Sequence, residues 1–419
     1  MNISWFGRKP RWILSIGLAA SGAFFASCSS NGGVPNAQSF EPATSSRRAE
    51  HRAASSYQVI YRFSGRPGGA EGPWAGLINV DGTLYGTTFL GGASGVGTVF
   101  SVTPSGTETV LHSFGNGSDG VFPKAGLINV KGTLYGTTSS GGTSDDGTVY
   151  HASTSGVEGV LYNFTGGSDG ESPYAGLFDS RGSLVGTTFF GGDSSKCRPG
   201  CGTIYKVNSA SGAKTLLHGF AGTPDGARPQ SGFVSNNGSL YGTTAGGGEF
   251  DKGTVFSLSP TGPENVVHSF KGGADGAQPE AGLINVNGTM YGTTYAGGSS
   301  DLGTVFKITA SGTETVLHTF GGGTDGAHPQ AALINVKGTL YGTTAGGGDS
   351  GYGTVYSIST SGGETVLHSF GGIPDGALPL AGRLVNVNGT LYGTTYGGGK
   401  AAAVCADGSG CGTVFALTP

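Results

Sequence analysis

From residue 57 onward, apolar and polar positions alternate in short runs and never settle into a helical period. One stretch shows the unit: "AGLINV" (125–130), "GTLYGTT" (132–138), "GTVYHAS" (147–153) and "EGVLYNF" (158–164). A period of two over six or seven residues predicts strands. The first two are joined by Lys131-Gly132, and its counterparts are Asp81-Gly82, Arg181-Gly182, Asn237-Gly238, Asn287-Gly288, Lys337-Gly338 and Asn388-Gly389. A two-residue connection with Gly second predicts a type I′ hairpin. Turns such as "PSGT", "TSGV" and "TGPE" join the third strand to the fourth. The unit is therefore an antiparallel meander of four strands.

The second Gly of "GTLYGTT" falls at 86, 136, 186, 242, 292, 342 and 393, a period of about 50 residues. A four-stranded unit of that length has the size of a propeller blade. The chain stops at "GTVFALTP" (412–419), a third strand with no fourth, and its repeats begin at "YQVIYRF" (57–63), a fourth strand with nothing before it. A ring resolves both: residues 57–63 complete the blade built from 381–419. An open stack would need polar caps at both ends. The predicted fold is all-β, a seven-bladed β-propeller of four-stranded antiparallel blades with 3+1 closure.

Composition narrows the alternatives. Gly makes up 85 of 419 residues without the strict triplet of collagen, and 36% hydrophobic content argues against disorder. Residues 1–27 read as a targeting segment: Arg8, Lys9 and Arg11 precede the apolar "ILSIGLAASGAFFAS", which ends at Cys28. The pattern resembles a bacterial lipoprotein signal with Cys28 as the lipid anchor, the alternative being an ordinary secretory signal. Ser29 after that Cys resembles the outer-membrane sorting pattern. Residues 28–56 form a Ser/Ala/Pro-rich tether, and 57–419 the propeller. An exported protein is expected, at the outer membrane or cell surface, otherwise periplasmic or secreted, and touching the membrane through its lipid alone. Without the leader, 19 basic residues face 26 acidic ones, a net charge near −7 that disfavours nucleic acid. A monomer is expected.

The phrase "AGLINVNGTLYGTT…GTVF" resembles the GloVer tandem repeat of bacterial exported proteins over residues 57–419. That resemblance implies no particular activity. The Gly-Gly doublet after the second strand is also similar to kelch blades, although the late Trp of a kelch repeat is missing.

A position repeated around a ring usually serves the ring. On that rule Tyr85, Tyr135, Tyr241, Tyr291, Tyr341 and Tyr392, with Val185 as substitute, pack between blades. The Gly that follows would let a neighbouring sheet approach closely. His112, His218, His268, His318 and His368, with Tyr61 and Tyr162 in the other two repeats, fall in separate outermost strands, too far apart to converge on one ion. Asp119, Asp169, Asp225, Asp275, Asp325 and Asp375 read as turn formers, and no calcium-loop spacing accompanies them. No metal or cofactor is expected. A literal G-x-S-x-G at 166–170 lacks the following helix of a nucleophile elbow.

Where the repeats differ, binding becomes the expectation. The residue opening the innermost strand is Trp74, Lys124, Tyr174, Gln230, Glu280, Gln330 or Leu380, and this set should rim the central channel. The residue after "GTT" is Phe89, Ser139, Phe189, Ala245, Tyr295, Ala345 or Tyr396. Aromatics beside amides and carboxylates suit stacking on sugars and bonding to hydroxyls. The two longest loops hold Cys197 and Cys201, and Cys405 and Cys411. Export favours disulfides; of the three possible pairings the simplest puts one within each loop, and a bridge across the mouth is the alternative. The leading functional reading is a non-enzymatic envelope module that binds an extracellular glycan or an envelope protein. A polysaccharide lyase or hydrolase using Glu280, and a purely structural protein, stand beside it; no catalytic residue is assigned.

Overall fold

The computed structural model describes residues 55–419 apart from 66–67, 116–117, 193–194, 260–262, 401–404 and 406–407. Seven four-stranded antiparallel sheets follow one another as blades of a propeller. Blade two consists of Ile128–Val130, Thr133–Thr138, Thr148–Ser153 and Glu158–Asn163, from innermost to outermost strand. Its first turn places Lys131 at φ 53° and Gly132 at φ 89°, the two left-handed positions of a type I′ hairpin. The Asn129 side chain accepts a hydrogen bond from the Gly132 N–H at 2.9 Å and locks the turn.

Closure follows the predicted scheme. Ser56–Arg62 pairs antiparallel with Thr413–Thr418, bringing Tyr57 opposite Leu417 and Val59 opposite Phe415. The seventh blade thus has Val385–Val387, Thr390–Thr395 and Thr413–Thr418 from the chain's end and its outermost strand from the beginning. No blade edge is left open at the seam. In blade two the outermost strand carries one extra residue, Leu161, between its pairs with Val149 and Tyr150. Such a bulge raises local twist, which suits a strand at the rim.

The core lies between blades. Tyr85, Val99 and Phe114 of blade one pack with Leu127, Leu134 and Tyr150 of blade two. The closing contact sets Phe63 and Val414 of blade seven against Leu84 and Phe100 of blade one. Phe114 meets Tyr150 edge-on with ring centroids 5.0 Å apart, and Phe63 meets Phe100 at 5.1 Å. The "YGTT" tyrosines accordingly sit in the frame.

The glycine after each tyrosine has a different cause from the one expected. Gly136 lies opposite Tyr150 in the same blade, and a Cβ there would stand 2.5 Å from the tyrosine hydroxyl oxygen. The missing side chain makes room for an aromatic of its own blade, not for the neighbouring sheet. The threonines are internal fasteners: Thr138 and Thr148 share a hydroxyl–hydroxyl hydrogen bond of 2.8 Å, and Thr87 donates across the interface to the Ala125 carbonyl at 3.0 Å. The 166–170 segment is a short 3₁₀ turn over Gly167–Asp169.

Candidate ligand-binding site at the channel mouth

Each connection from an outermost strand to the next innermost strand follows one backbone recipe. Phe122 has φ 58°, and the same left-handed conformation occurs at Ser172, Arg228, Gln278, His328 and Leu378. It points the two polar backbone groups of this residue at two blades. The Phe122 N–H donates to the Val96 carbonyl of blade one at 2.8 Å, while its carbonyl accepts from the Ser139 N–H of blade two at 3.1 Å. Because the backbone carries the joint, the side chain is free to vary. A proline follows, and then the residue that reaches the channel.

Six of the expected rim residues converge. Trp74, Lys124, Tyr174, Gln230, Glu280 and Gln330 line one mouth together with Ala381. The seventh position was expected to be Leu380. Blade seven carries an extra residue in "PLAGRL", with the Arg383 backbone packed against Gly76 of blade one, so the rim passes to Ala381. The opening has a volume of about 60 Å³. That holds a few waters. A ligand must therefore lie across the mouth and insert only a small group.

The mouth has two unlike halves. On blades one to three, the Lys124 ammonium lies 5.0 Å from the Trp74 ring centre and 4.0 Å from that of Tyr174. Its charge rests on π faces, an attraction of about 0.5–2 kcal/mol per contact. Burial lowers the Lys124 pKa from its ordinary value to about 8. No salt bridge to Lys124 is present among the described residues. On blades four to six, Gln330 donates to Glu280 at 3.1 Å, and Gln230 also bonds this carboxylate. Burial raises the Glu280 pKa, and the two amide bonds pull it back in part.

The second expected set joins the first half. Phe89 packs on Trp74 with centroids 5.6 Å apart, Tyr396 meets Trp74 edge-on at 5.5 Å, and Phe189 stacks on Tyr174 at 4.7 Å. Tyr295 stands apart, stacked on His328 at 4.5 Å. Sequence reasoning missed Phe122, Phe190 and His328. Phe122 packs on Phe89 at 5.0 Å and Phe190 on Phe189 at 4.5 Å. The signal for Phe122 and His328 was the variable residue before each proline, which also occupies this face.

The cysteines pair locally, Cys197 with Cys201 and Cys405 with Cys411, so the alternative bridge across the mouth does not form. Cys28, the expected lipid attachment point, lies outside the described residues. No helix among the described residues is long and apolar enough to cross a membrane. Two disulfides are consistent with an exported protein.

The family model described as the Gloeobacter/Verrucomicrobia repeat matches residues 17–198 and 194–415. None of the curated proteins matches. Among solved structures, an oligogalacturonate lyase from Vibrio parahaemolyticus has a TM-score of 0.55 at 8% identity, covering 87% of this chain and 97% of that one. An oligogalacturonate lyase in complex with manganese has 0.52 at 11%, covering 87% and 96%. A prolyl endopeptidase reaches 0.47 at 13% over 80% of this chain, which spans 46% of that longer chain. The likeness to the two lyases, at identities this low, establishes a shared fold and nothing about activity.

Proposed function

The chain belongs to the Gloeobacter/Verrucomicrobia repeat family, and from that premise we propose an exported, lipid-anchored module that binds an extracellular glycan bearing acidic groups across the channel mouth. The carrying observation is the Lys124 ammonium, half-buried among Trp74, Phe89 and Tyr174 and bonded to no carboxylate among the described residues. An acidic group on a ligand would supply the missing counter-charge. The surrounding rings would stack on sugar faces, and Gln230 and Gln330 would bond hydroxyls. Cys28 would tether the propeller through its lipid and the segment 28–56, at the outer membrane or cell surface.

A catalytic reading has one observation in its favour, the raised pKa of Glu280, which suits a general acid. Glycoside hydrolysis ordinarily employs two carboxyl groups, and Glu280 is the single one among the residues lining the mouth. Binding without turnover is therefore the reading preferred.

The test is thermal unfolding with uronate-containing oligosaccharides and their carboxyl-reduced counterparts. A ligand at 100 times its Kd adds about 2.7 kcal/mol to stability. The midpoint should rise with the acidic form alone, and Trp74→Ala with Tyr174→Ala should abolish the rise. An equal response to the neutral form would refute the role of Lys124. No response to either would move the ligand from glycan to protein, and product accumulating with time would make the mouth an active site.

A further inference from the structure

The clefts between blades hold a second kind of site, remote in the fold from the mouth. Between blades three and four, His218 comes from the outermost strand Lys214–Gly219, Asp225 from the loop after it, and Glu264 opens the outermost strand Glu264–Ser269 of the next blade. One ligand atom from each lies within 4.8 Å of the others. His218 Nε2 is 3.2 Å from Asp225 Oδ2 and 3.8 Å from Glu264 Oε2. The Glu264 side chain is 5% exposed, and its Oε1 is buried with no hydrogen-bond partner. A charged oxygen in that position is costly unless something satisfies it.

The arrangement recurs as His268, Asp275 and Glu314, and as His318, Asp325 and Glu364. Glu314 and Glu364 each leave Oε1 buried and unbonded in the same way. His268 Nε2 is also buried and makes no hydrogen bond, although Asp275 Oδ1 is 3.3 Å away.

One cleft answers the same need from within. Between blades two and three, Lys214 takes the position of Glu264 and Tyr162 that of His218. The Lys214 ammonium bonds Asp169 at 2.7 Å. Where the outermost strand opens with Lys214, the protein provides a cation on this aspartate; where it opens with Glu264, Glu314 or Glu364, an imidazole and two carboxylates face each other without one.

We propose that these three clefts are sites for a divalent first-row transition cation, Zn²⁺ foremost, held by His Nε2 and one carboxylate oxygen each from Asp and Glu of two adjacent blades. Bonds of about 2.0–2.1 Å to a tetrahedral ion put ligand atoms about 3.3 Å apart. The 3.2 Å separation already meets this, and 3.8 Å needs a small closure. Two backbone donors fix the Asp225 carboxylate: Oδ2 accepts from the Ala221 N–H at 2.8 Å and Oδ1 from the Gly226 N–H at 2.7 Å. Outer bonds of that kind orient metal ligands. Solvent reaches the His218 and Asp225 side chains, which leaves an ion an entry path. Coordination displaces the proton between His218 and Asp225 to solvent. The ion would join the outer edges of two blades, adding to the backbone joint at Arg228 and to the side-chain packing between them.

The test uses the full chain, stripped with chelator and titrated with Zn²⁺ alone by calorimetry, with metal analysis after gel filtration. The stoichiometry should approach three per chain, and Glu264→Gln, Glu314→Gln and Glu364→Gln should each remove one. Gln keeps the shape of Glu, and circular dichroism without metal checks that each variant folds. Lys214→Glu with Tyr162→His should add a fourth site, which keeps the proposal testable if the loss variants misfold. Wild-type protein that takes up no Zn²⁺, or a triple Gln variant that takes up as much as wild type, overturns it.

Discussion

The channel mouth and the blade interfaces are built from the same seven repeats, yet they use repetition in opposite ways. At the interfaces the same or a similar apolar residue returns at each equivalent place, as with Phe63 and Phe114, because every joint solves the same packing problem. At the mouth Trp74, Lys124, Tyr174, Gln230, Glu280, Gln330 and Ala381 occupy equivalent places with unlike side chains. Ring geometry brings those places to one axis, where they act as a single surface. The clefts qualify the rule that recurrence means frame. There a recurring triad makes several separate candidate sites, each complete within one pair of blades.

The severest way to break the frame is to remove its closing strand. Deleting residues 57–63 takes away the partner of Thr413–Thr418 and the buried Phe63. Truncating one buried aromatic costs about 3–5 kcal/mol, and each lost backbone hydrogen bond about 0.5–1.5 kcal/mol net. The loss should exceed about 5 kcal/mol, comparable with a whole domain's margin. Denaturant unfolding should show it, and gel filtration should show association through the exposed strand. Unchanged stability and size would mean that the ring does not depend on its seam.

At the mouth a single substitution should raise stability. Burial lowers the Lys124 pKa to about 8, so the folded chain gives up this proton more readily than the unfolded chain does. Below pH 8 both states carry it, and the folded state bears the full cost of a half-buried ammonium. Between about pH 8 and pH 10.4, the ordinary lysine value, the unfolded state binds more protons and stability rises with pH. Lys124→Met should therefore be more stable than wild type by about 1–3 kcal/mol at pH 7. The gap should close by pH 11 when midpoints are compared across that range. A variant less stable at pH 7 would show that the cation–π contacts outweigh desolvation. Acidic ligands should also bind wild type more weakly above pH 8.

The fold was legible because its signals are local and repeated. Asp81-Gly82 and its six counterparts announce type I′ turns by chemistry alone, and the spare strand at 57–63 announces the closure. The rim was legible through the position of Trp74 and Lys124 in the repeat, except where the insertion near Arg383 shifted the register by one. The pairing of Lys124 with ring faces, and of Glu280 with two amides, was not. Those contacts join residues about 50 positions apart, and strand patterning says nothing of how they turn toward one another. The clefts were missed for a related reason. Each histidine was weighed against other histidines, whereas its neighbours are an aspartate seven residues on and a glutamate from the next blade.

The smallest expected effect tests how far the repeated frame has been refined. Tyr150, Tyr205 and Tyr356 are fully buried with hydroxyls that lack partners. The other four blades place Phe100, Phe256, Phe306 and Phe415 there, opposite the same glycine. Geometry at these joints is otherwise alike: Phe114 meets Tyr150 at 5.0 Å, and Phe270 meets Phe306 at 5.2 Å. Tyr150→Phe removes an unsatisfied polar group and leaves the packing intact. An unbonded buried hydroxyl costs about 1–3 kcal/mol, part of which relaxation around it recovers. The substitution should therefore stabilise by up to about 1 kcal/mol, read as a higher denaturant midpoint at unchanged slope. A loss of about 1 kcal/mol instead would reveal a trapped water bonding the hydroxyl. In that event the three tyrosines would be polar anchors within an otherwise apolar joint, and the blade interfaces would share some of the individuality of the mouth.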